Sequence, residues 1–286
     1  MIDRRHWMIG AAGVAALAAR GAAAQGTPLP ARLARIEAEY GGRLGVAVLD
    51  TATGQVAGHR LAERFPMCST FKAPLTACVL ARVDAGQERL DRTIPIRRAD
   101  ILSWSPVVET KVGQAMTIAD LCAATMTISD NAAANLLLAS VGGPAGLTAW
   151  LRRIGDEATR LDRTEPTLNQ ALPGDPRDTT TPEAMAATLR RLALGAVLSE
   201  ASRTRFVAWL RGNRTGDARL RAGVPPGWVV GDRTGTGARN TSNVIGVVWP
   251  PEGRAPLVVT AFLTEGSPQG ARREAALAAV GAALAG

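Results

Sequence analysis

Histidine is nearly absent from this chain: only His6 and His59 occur in 286 residues. A zinc centre built on several histidines is therefore excluded. A serine–histidine pair would have to use His59, which ends a strand-like stretch and reads as structural. Lysine is as scarce. Of 33 lysines and arginines, only Lys72 and Lys111 are lysines. Arginine cannot give up its proton, so a lysine placed beside a hydroxyl suggests a cation that has to titrate. Cysteines number three, Cys68, Cys78 and Cys122. An oxidising compartment would permit one disulfide, but an odd count leaves a thiol free and the spacing does not choose the pair. Aromatic residues are 4% of the chain, and the arginines behind the formal charge of +8 are interleaved with acids. No basic stripe carries the stacking rings of a nucleic-acid binder. No metal, cofactor or nucleic acid is expected, and no apolar run is long enough to span a bilayer.

What is present begins with an export signal over residues 1–24. Asp3, Arg4 and Arg5 are charged, an Ala/Gly/Val/Leu stretch follows, and Ala22-Ala23-Ala24 offers a cleavage site before Gln25. Arg4-Arg5 ahead of apolar residues resembles a twin-arginine signal. The expectation is a bacterial protein delivered to the periplasm or secreted, free of the membrane after cleavage, and monomeric. Apolar spacing then predicts a helix over 30–40, a strand over 44–50 and its return over 55–59. Helical spacing dominates from 69 to about 210, including 73–83, 118–126, 131–140, 147–154 and 182–194. Strands return at 228–232, 244–249 and 256–263, and an Ala-rich helix closes the chain over 272–284. A lone hairpin is marginal, so the first and last strands must share one sheet. The fold class expected is a two-lobed α/β protein. An antiparallel sheet with flanking helices (25–60 and 214–286) carries an inserted all-α lobe (61–213), with a cleft at the seam.

Chemistry concentrates in four places. Ser69 and Lys72 stand three apart at the start of a helix, sharing a face. There unpaired N–H groups favour a negative oxygen. A serine needs a base, and lysine can be one where its surroundings lower its pKa. Alone, the pair also reads as a helix cap and a surface lysine. Ser129-Asp130-Asn131 precedes an apolar helix, where Asp130 reads as a cap. Arg233-Thr234-Gly235-Thr236 follows a strand, and its glycine lets a ligand approach. Glu165-Pro166-Thr167-Leu168-Asn169 lies in a proline-rich loop that Arg163 and Asp178 could clasp.

Together and in this order, from residue 30 to the C-terminus, these resemble the class A serine β-lactamases. The resemblance implies hydrolysis of the β-lactam amide of penicillins and cephalosporins through a serine acyl-enzyme. It makes Ser69 the nucleophile, with Lys72, Glu165 through a water, or both as its base. Ser129 would protonate the leaving nitrogen, and the N–H groups of Ser69 and Thr236 would hold the oxyanion. Glu165 and Asn169 would hold the hydrolytic water. Asn131 would bind the substrate's side-chain amide, Trp104 would wall the cleft, and Arg233, Thr234, Gly235 and Thr236 would bind the carboxylate strand-side. Three departures stand out. Arg233 replaces the family's usual lysine. The following strand has no arginine at Ser242 or Asn243, and Arg219 matches the substitute cation of some members. Cys68 faces Gly237 where family carbapenemases carry a second cysteine, so that bridge cannot form. The competing readings are a penicillin-binding D,D-peptidase, a sensor that stays acylated, and a silent cell-wall binding protein. Glu165 argues against the first two, and the presence of every polar group the chemistry needs argues against the third.

Overall fold

The computed structural model describes residues 27–285, so the export segment read over 1–24 lies outside the described residues. The chain opens with α1 (Leu29–Tyr40), β1 (Arg43–Asp50), β2 (Val56–His59) and the short β3 (Phe65–Pro66). A single 3₁₀ turn, Cys68–Phe71, runs into α2 (Lys72–Asp84). The short pair β4 (Thr93–Pro95) and β5 (Ala115–Thr117) precedes α3 (Ile118–Thr127), α4 (Asn131–Ser140) and α5 (Gly143–Arg153). After a long loop come β6 (Thr179–Thr180), α6 (Pro182–Ala193), α7 (Glu200–Arg211) and α8 (Leu220–Gly223). Three long strands, β7 (Val229–Gly237), β8 (Thr241–Trp249) and β9 (Leu257–Thr264), lead to α9 (Gly270–Ala282).

The two ends of the chain do share one sheet, in the order β2-β1-β9-β8-β7 with every pairing antiparallel. β1 lies along β9 from Arg43 opposite Thr264 to Asp50 opposite Leu257. Successive strand side chains point to opposite faces. Val46 and Val48 pack with Leu33 and Ile36 of α1 and Leu277 and Val280 of α9. Ala47 and Leu49 join Ile245, Val258 and Phe262 in the larger core, with the helical block. With both faces covered, these strands read as continuous apolar runs rather than alternations.

α2 is buried from its first residue through residue 80, as an all-round apolar helix must be. α6 sits between it and the sheet, its start tied down where Thr260 Oγ1 donates to Pro182 O at 2.8 Å. β7 runs further than its apolar residues indicate. Arg233-Thr234-Gly235-Thr236 continues the strand, because β8 supplies a partner for each residue out to Gly237 opposite Thr241. β7 is the sheet's edge, facing the 3₁₀ turn that carries Ser69.

Candidate active site

The turn and the strand meet closely. A Cβ on Gly235 would lie 2.7 Å from Met67 O and 3.2 Å from the Ser69 backbone nitrogen, so only glycine lets β7 come this near Ser69. Asn243, opposite Gly235 on β8, donates from Nδ2 to Pro66 O at 2.8 Å and Met67 O at 3.0 Å. Those carbonyls lead into the turn. Cys68, just before Ser69, has φ of +46°, Ser129 +68° and Trp104 +61°. Non-glycine residues in this region are sparse and cluster at functional sites.

Lys72 is wholly buried. Its Nζ lies 3.1 Å from Ser69 Oγ, 3.1 Å from Ser129 Oγ, 3.0 Å from Ser129 O and 2.5 Å from Asn131 Oδ1. Glu165 Oε1 is 3.0 Å from the same nitrogen. Burial pushes the ammonium down to about 8; the Glu165 carboxylate raises it and Arg233 lowers it further. Glu165 Oε1 also accepts from Ser69 Oγ at 3.3 Å, and Asn169 Nδ2 donates to Oε2 at 2.5 Å. Asn169 Oδ1 is buried and accepts from no protein group.

Each motif is held from behind. Asp130 is fully buried and accepts from the backbone N–H groups of Ala133, Val107 and Val108, so it caps α4 and pins the 107–108 segment. Asn131 N donates to Trp104 O at 2.9 Å, and the Trp104 indole N–H to Ile128 O at 3.0 Å. Glu165 is gripped through its backbone by Asn135, whose amide donates to Glu165 O and accepts from Glu165 N. The loop is clasped as anticipated: Arg163 Nε donates to the fully buried Asp178 at 2.5 Å, and Asp178 also accepts from the N–H groups of Asp162 and Arg163. His59 is engaged with Glu37 at 2.6 Å, away from this cleft.

A cleft of about 360 Å³ joins these groups. Ser69, Ser129, Asn131 and Asn169 line it from the helical block and its loop, with Trp104, 62% exposed, beside them. Thr234, Gly235 and Thr236 line it from β7, joined by Arg219 and Thr215. Arg219 donates from Nη1 to Gly235 O and Asn243 O and from Nη2 to Thr236 Oγ1, each at 2.8 Å. Arg233 is fully buried behind the strand and does not line the cleft; its Nη1 donates to Thr215 Oγ1 at 3.2 Å. The three cysteines are buried free thiols, with Cys68 Sγ 2.5 Å from where a Cβ on Gly237 would lie. Among the described residues no three His, Cys, Asp or Glu side chains gather at a metal-binding distance.

Sequence reasoning missed Asn135, Asn213, Thr215 and Asn243. Asn135 had a signal, since it lies four residues after Asn131 on one helix face. Asn243 was considered only as a place for a cation. Asn213 and Thr215 sit on an irregular stretch, where no period points to a partner.

A hydroxyl, a buried amine and a carboxylate within about 3 Å of one another, beside an edge strand that offers N–H groups, define a serine acyl-transfer hydrolase. The chain belongs to the β-lactamase enzyme family, whose sequence profile matches residues 28–286. Within that family it is a class A enzyme, a hydrolase of β-lactams. It is 48% identical over 256 residues to β-lactamase CTX-M-8 of Citrobacter amalonaticus, spanning 90% of this chain and 88% of that protein. It is 48% identical over 295 residues to β-lactamase L2 of Stenotrophomonas maltophilia, spanning 98% and 97%. An ancestral (GNCA) class A β-lactamase superposes with a TM-score of 0.89 at 62% identity, covering 90% of this chain and 99% of that one. The putative class A β-lactamase PenP of Rhodopseudomonas palustris gives 0.88 at 59%, covering 90% and 98%.

Proposed function

We propose that Ser69 carries the reaction, as an acyl-enzyme that Glu165 then hydrolyses. The observation behind this is that one carboxylate reaches both Lys72 Nζ and Ser69 Oγ while its second oxygen is held by Asn169. Ser69 Oγ attacks the lactam carbonyl and its proton passes to Lys72 or Glu165. The N–H groups of Ser69 and Thr236 bind the oxyanion. Ser129 Oγ gives its proton to the departing ring nitrogen and is resupplied from Lys72, 3.1 Å away. Water then donates one hydrogen toward Asn169 Oδ1 and loses the other to Glu165 as it attacks the ester. The acyl bond to Ser69 Oγ breaks, and Glu165, 3.3 Å away, returns the proton to that oxygen. Asn131 spends one amide hydrogen on Ser103 O and keeps a second for the substrate's side-chain amide. Arg219, Thr234 and Thr236 bind the carboxylate, with Arg233 adding charge from behind.

The described residues within 25–60 and 214–286 form the sheet lobe and 61–213 the helical one, with the reaction at their seam. The protein acts as a periplasmic or secreted monomer on a small substrate. Among the described residues no single helix is long and apolar enough to cross a membrane. A D,D-peptidase or acylated sensor would leave the Glu165 and Asn169 pair without a task. Glu165→Ala tests the assignment. Mixed with benzylpenicillin, it is expected to accumulate an adduct of the drug's full mass on Ser69 by mass spectrometry, while the unaltered enzyme turns over a chromogenic cephalosporin. Rapid turnover without adduct would mean another base activates the water.

A further inference from the structure

Arg233 is buried with two of its nitrogens, Nε and Nη2, unpartnered. The third donates to Thr215 Oγ1 at 3.2 Å, and Thr215, unlike Arg233, lines the cleft. Thr215 Oγ1 has two further neighbours: Asn213 Oδ1 at 2.8 Å, and the Thr234 hydroxyl in close contact. The orientation of Asn213 follows from its partner. Its Nδ2 donates to the Asp232 carboxylate at 2.7 Å, so its Oδ1 can only accept.

These contacts leave few ways to place two hydrogens. A hydroxyl donates once and accepts twice. The guanidinium always donates into Thr215, so the single Thr215 hydrogen goes either to Asn213 Oδ1 or to Thr234 Oγ1. In the first arrangement the Thr234 hydrogen must point back to Thr215, and Thr234 shows the cleft only lone pairs. In the second, Thr215 donates to Thr234, and the Thr234 hydrogen is free to point into the cleft. Asn213 Oδ1 is not orphaned by the change, because the Thr215 backbone N–H also donates to it, at 3.1 Å.

We infer that Thr215 is a specificity-determining residue, a hydroxyl relay that turns the buried charge of Arg233 into an O–H donor at Thr234 for an anionic substrate group. The inference rests on the reading that Arg219, Thr234 and Thr236 receive the β-lactam carboxylate. An anion facing Thr234 selects the second arrangement, so the line runs Arg233 Nη1–H to Thr215, Thr215 O–H to Thr234, and Thr234 O–H to the carboxylate. No proton leaves its oxygen; two hydroxyls rotate. An uncharged ester at the same place draws much less on that polarised chain. Arginine suits the inner end, since it never becomes an acceptor and so cannot reverse the direction.

The test compares a chromogenic cephalosporin with its C4 methyl ester, read as the ratio of their kcat/KM values. The unaltered enzyme is expected to favour the acid. Thr215→Val keeps the branched shape without the hydroxyl and should shrink that ratio by about ten-fold or more, through KM for the acid. Thr215→Ser, which restores the hydroxyl, should restore the ratio. Arg219→Ala should shrink the ratio through its own contact. If Arg219→Ala removes the preference for the acid and Thr215→Val keeps it, the relay is wrong and the carboxylate site stands. Equal falls on acid and ester in Thr215→Val would mean a packing role and also overturn the relay. If the unaltered enzyme takes acid and ester alike, the carboxylate reading itself fails.

Discussion

Lys72 is a fully buried ammonium surrounded by five oxygens. Three of these, Ser129 O, Asn131 Oδ1 and the Glu165 carboxylate oxygen, only accept. A neutral amine has two hydrogens for these acceptors, and its lone pair is left to face the hydroxyls. Burial has brought that neutral form within reach, with the group pushed down to about 8. If the amine takes the Ser69 proton, the acylation rate should rise with pH around a midpoint near 8. Glu165 is what raises the lysine against its burial, so Glu165→Gln removes that support and the midpoint should move lower. Stopped-flow acylation across pH reads both. An acylation rate abolished in Glu165→Gln would instead make the carboxylate the base.

At the scale of elements, the site depends on how closely a strand edge approaches a turn. β7 delivers Thr234 and Thr236 to the cleft only because Gly235 between them has no side chain to meet Met67 O. Asn243 holds the turn from the next strand, and Arg219 binds the two strands together across Gly235 O and Asn243 O. Gly235→Ala would place a methyl against backbone that has no flexible end to yield. The strand must draw away, carrying the Thr236 N–H, the proposed oxyanion donor, away from Ser69. Loss of one such donor typically lowers kcat by about 10²–10³-fold. Acylation is expected to fall by that order, with a lowered thermal midpoint reporting the displaced strand. An acylation rate within a few-fold of the unaltered enzyme would place the oxyanion donors elsewhere. In the loop that carries Glu165, the Arg163–Asp178 clasp is stronger than an exposed pair, because Asp178 is fully buried and accepts two backbone N–H groups as well.

Across the whole molecule, the buried ionisable groups set the response to alkali. Burial raises the thiols of Cys68 and Cys78 from 9.0 to about 12 and moves Cys122 the same way. Unfolded thiols lose their protons above about 9 while the folded ones keep them, so the unfolded state binds fewer protons and stability falls as pH rises. Each thiol contributes about 1.4 kcal/mol per pH unit in that window. Lys72 works in the opposite direction: it loses its proton first in the folded state, so stability rises between about 8 and 10.5. The thiols outnumber it, and alkaline unfolding should steepen above pH 9. Cys78→Ser with Cys122→Ser should flatten that slope by about 2.8 kcal/mol per pH unit, whatever it does to stability at pH 7. Urea titrations at a series of pH values give the slope, and an unchanged slope would mean that these thiols ionise equally in both states.

The order of elements and the chemical residues were legible in the chain itself. Short apolar runs and helical spacing placed the shared sheet and its helical insertion, because both follow from which residues avoid water. Ser69 and Lys72 stood out by their spacing and by the scarcity of lysine, and Ser129 and Glu165 through the resemblance of their motifs to the class A family. What the tertiary structure alone decided lies in contacts between segments far apart in sequence. The extension of β7 through polar residues depended on β8 being there to pair with it. The position of Arg233 behind the cleft, and its link to the cleft through Thr215, came from two segments meeting across 18 residues. No periodicity records such a meeting. It is set by side-chain packing and by hydrogen bonds that exist only once the sheet edge, the nucleophile turn and the irregular stretch before α8 have come together.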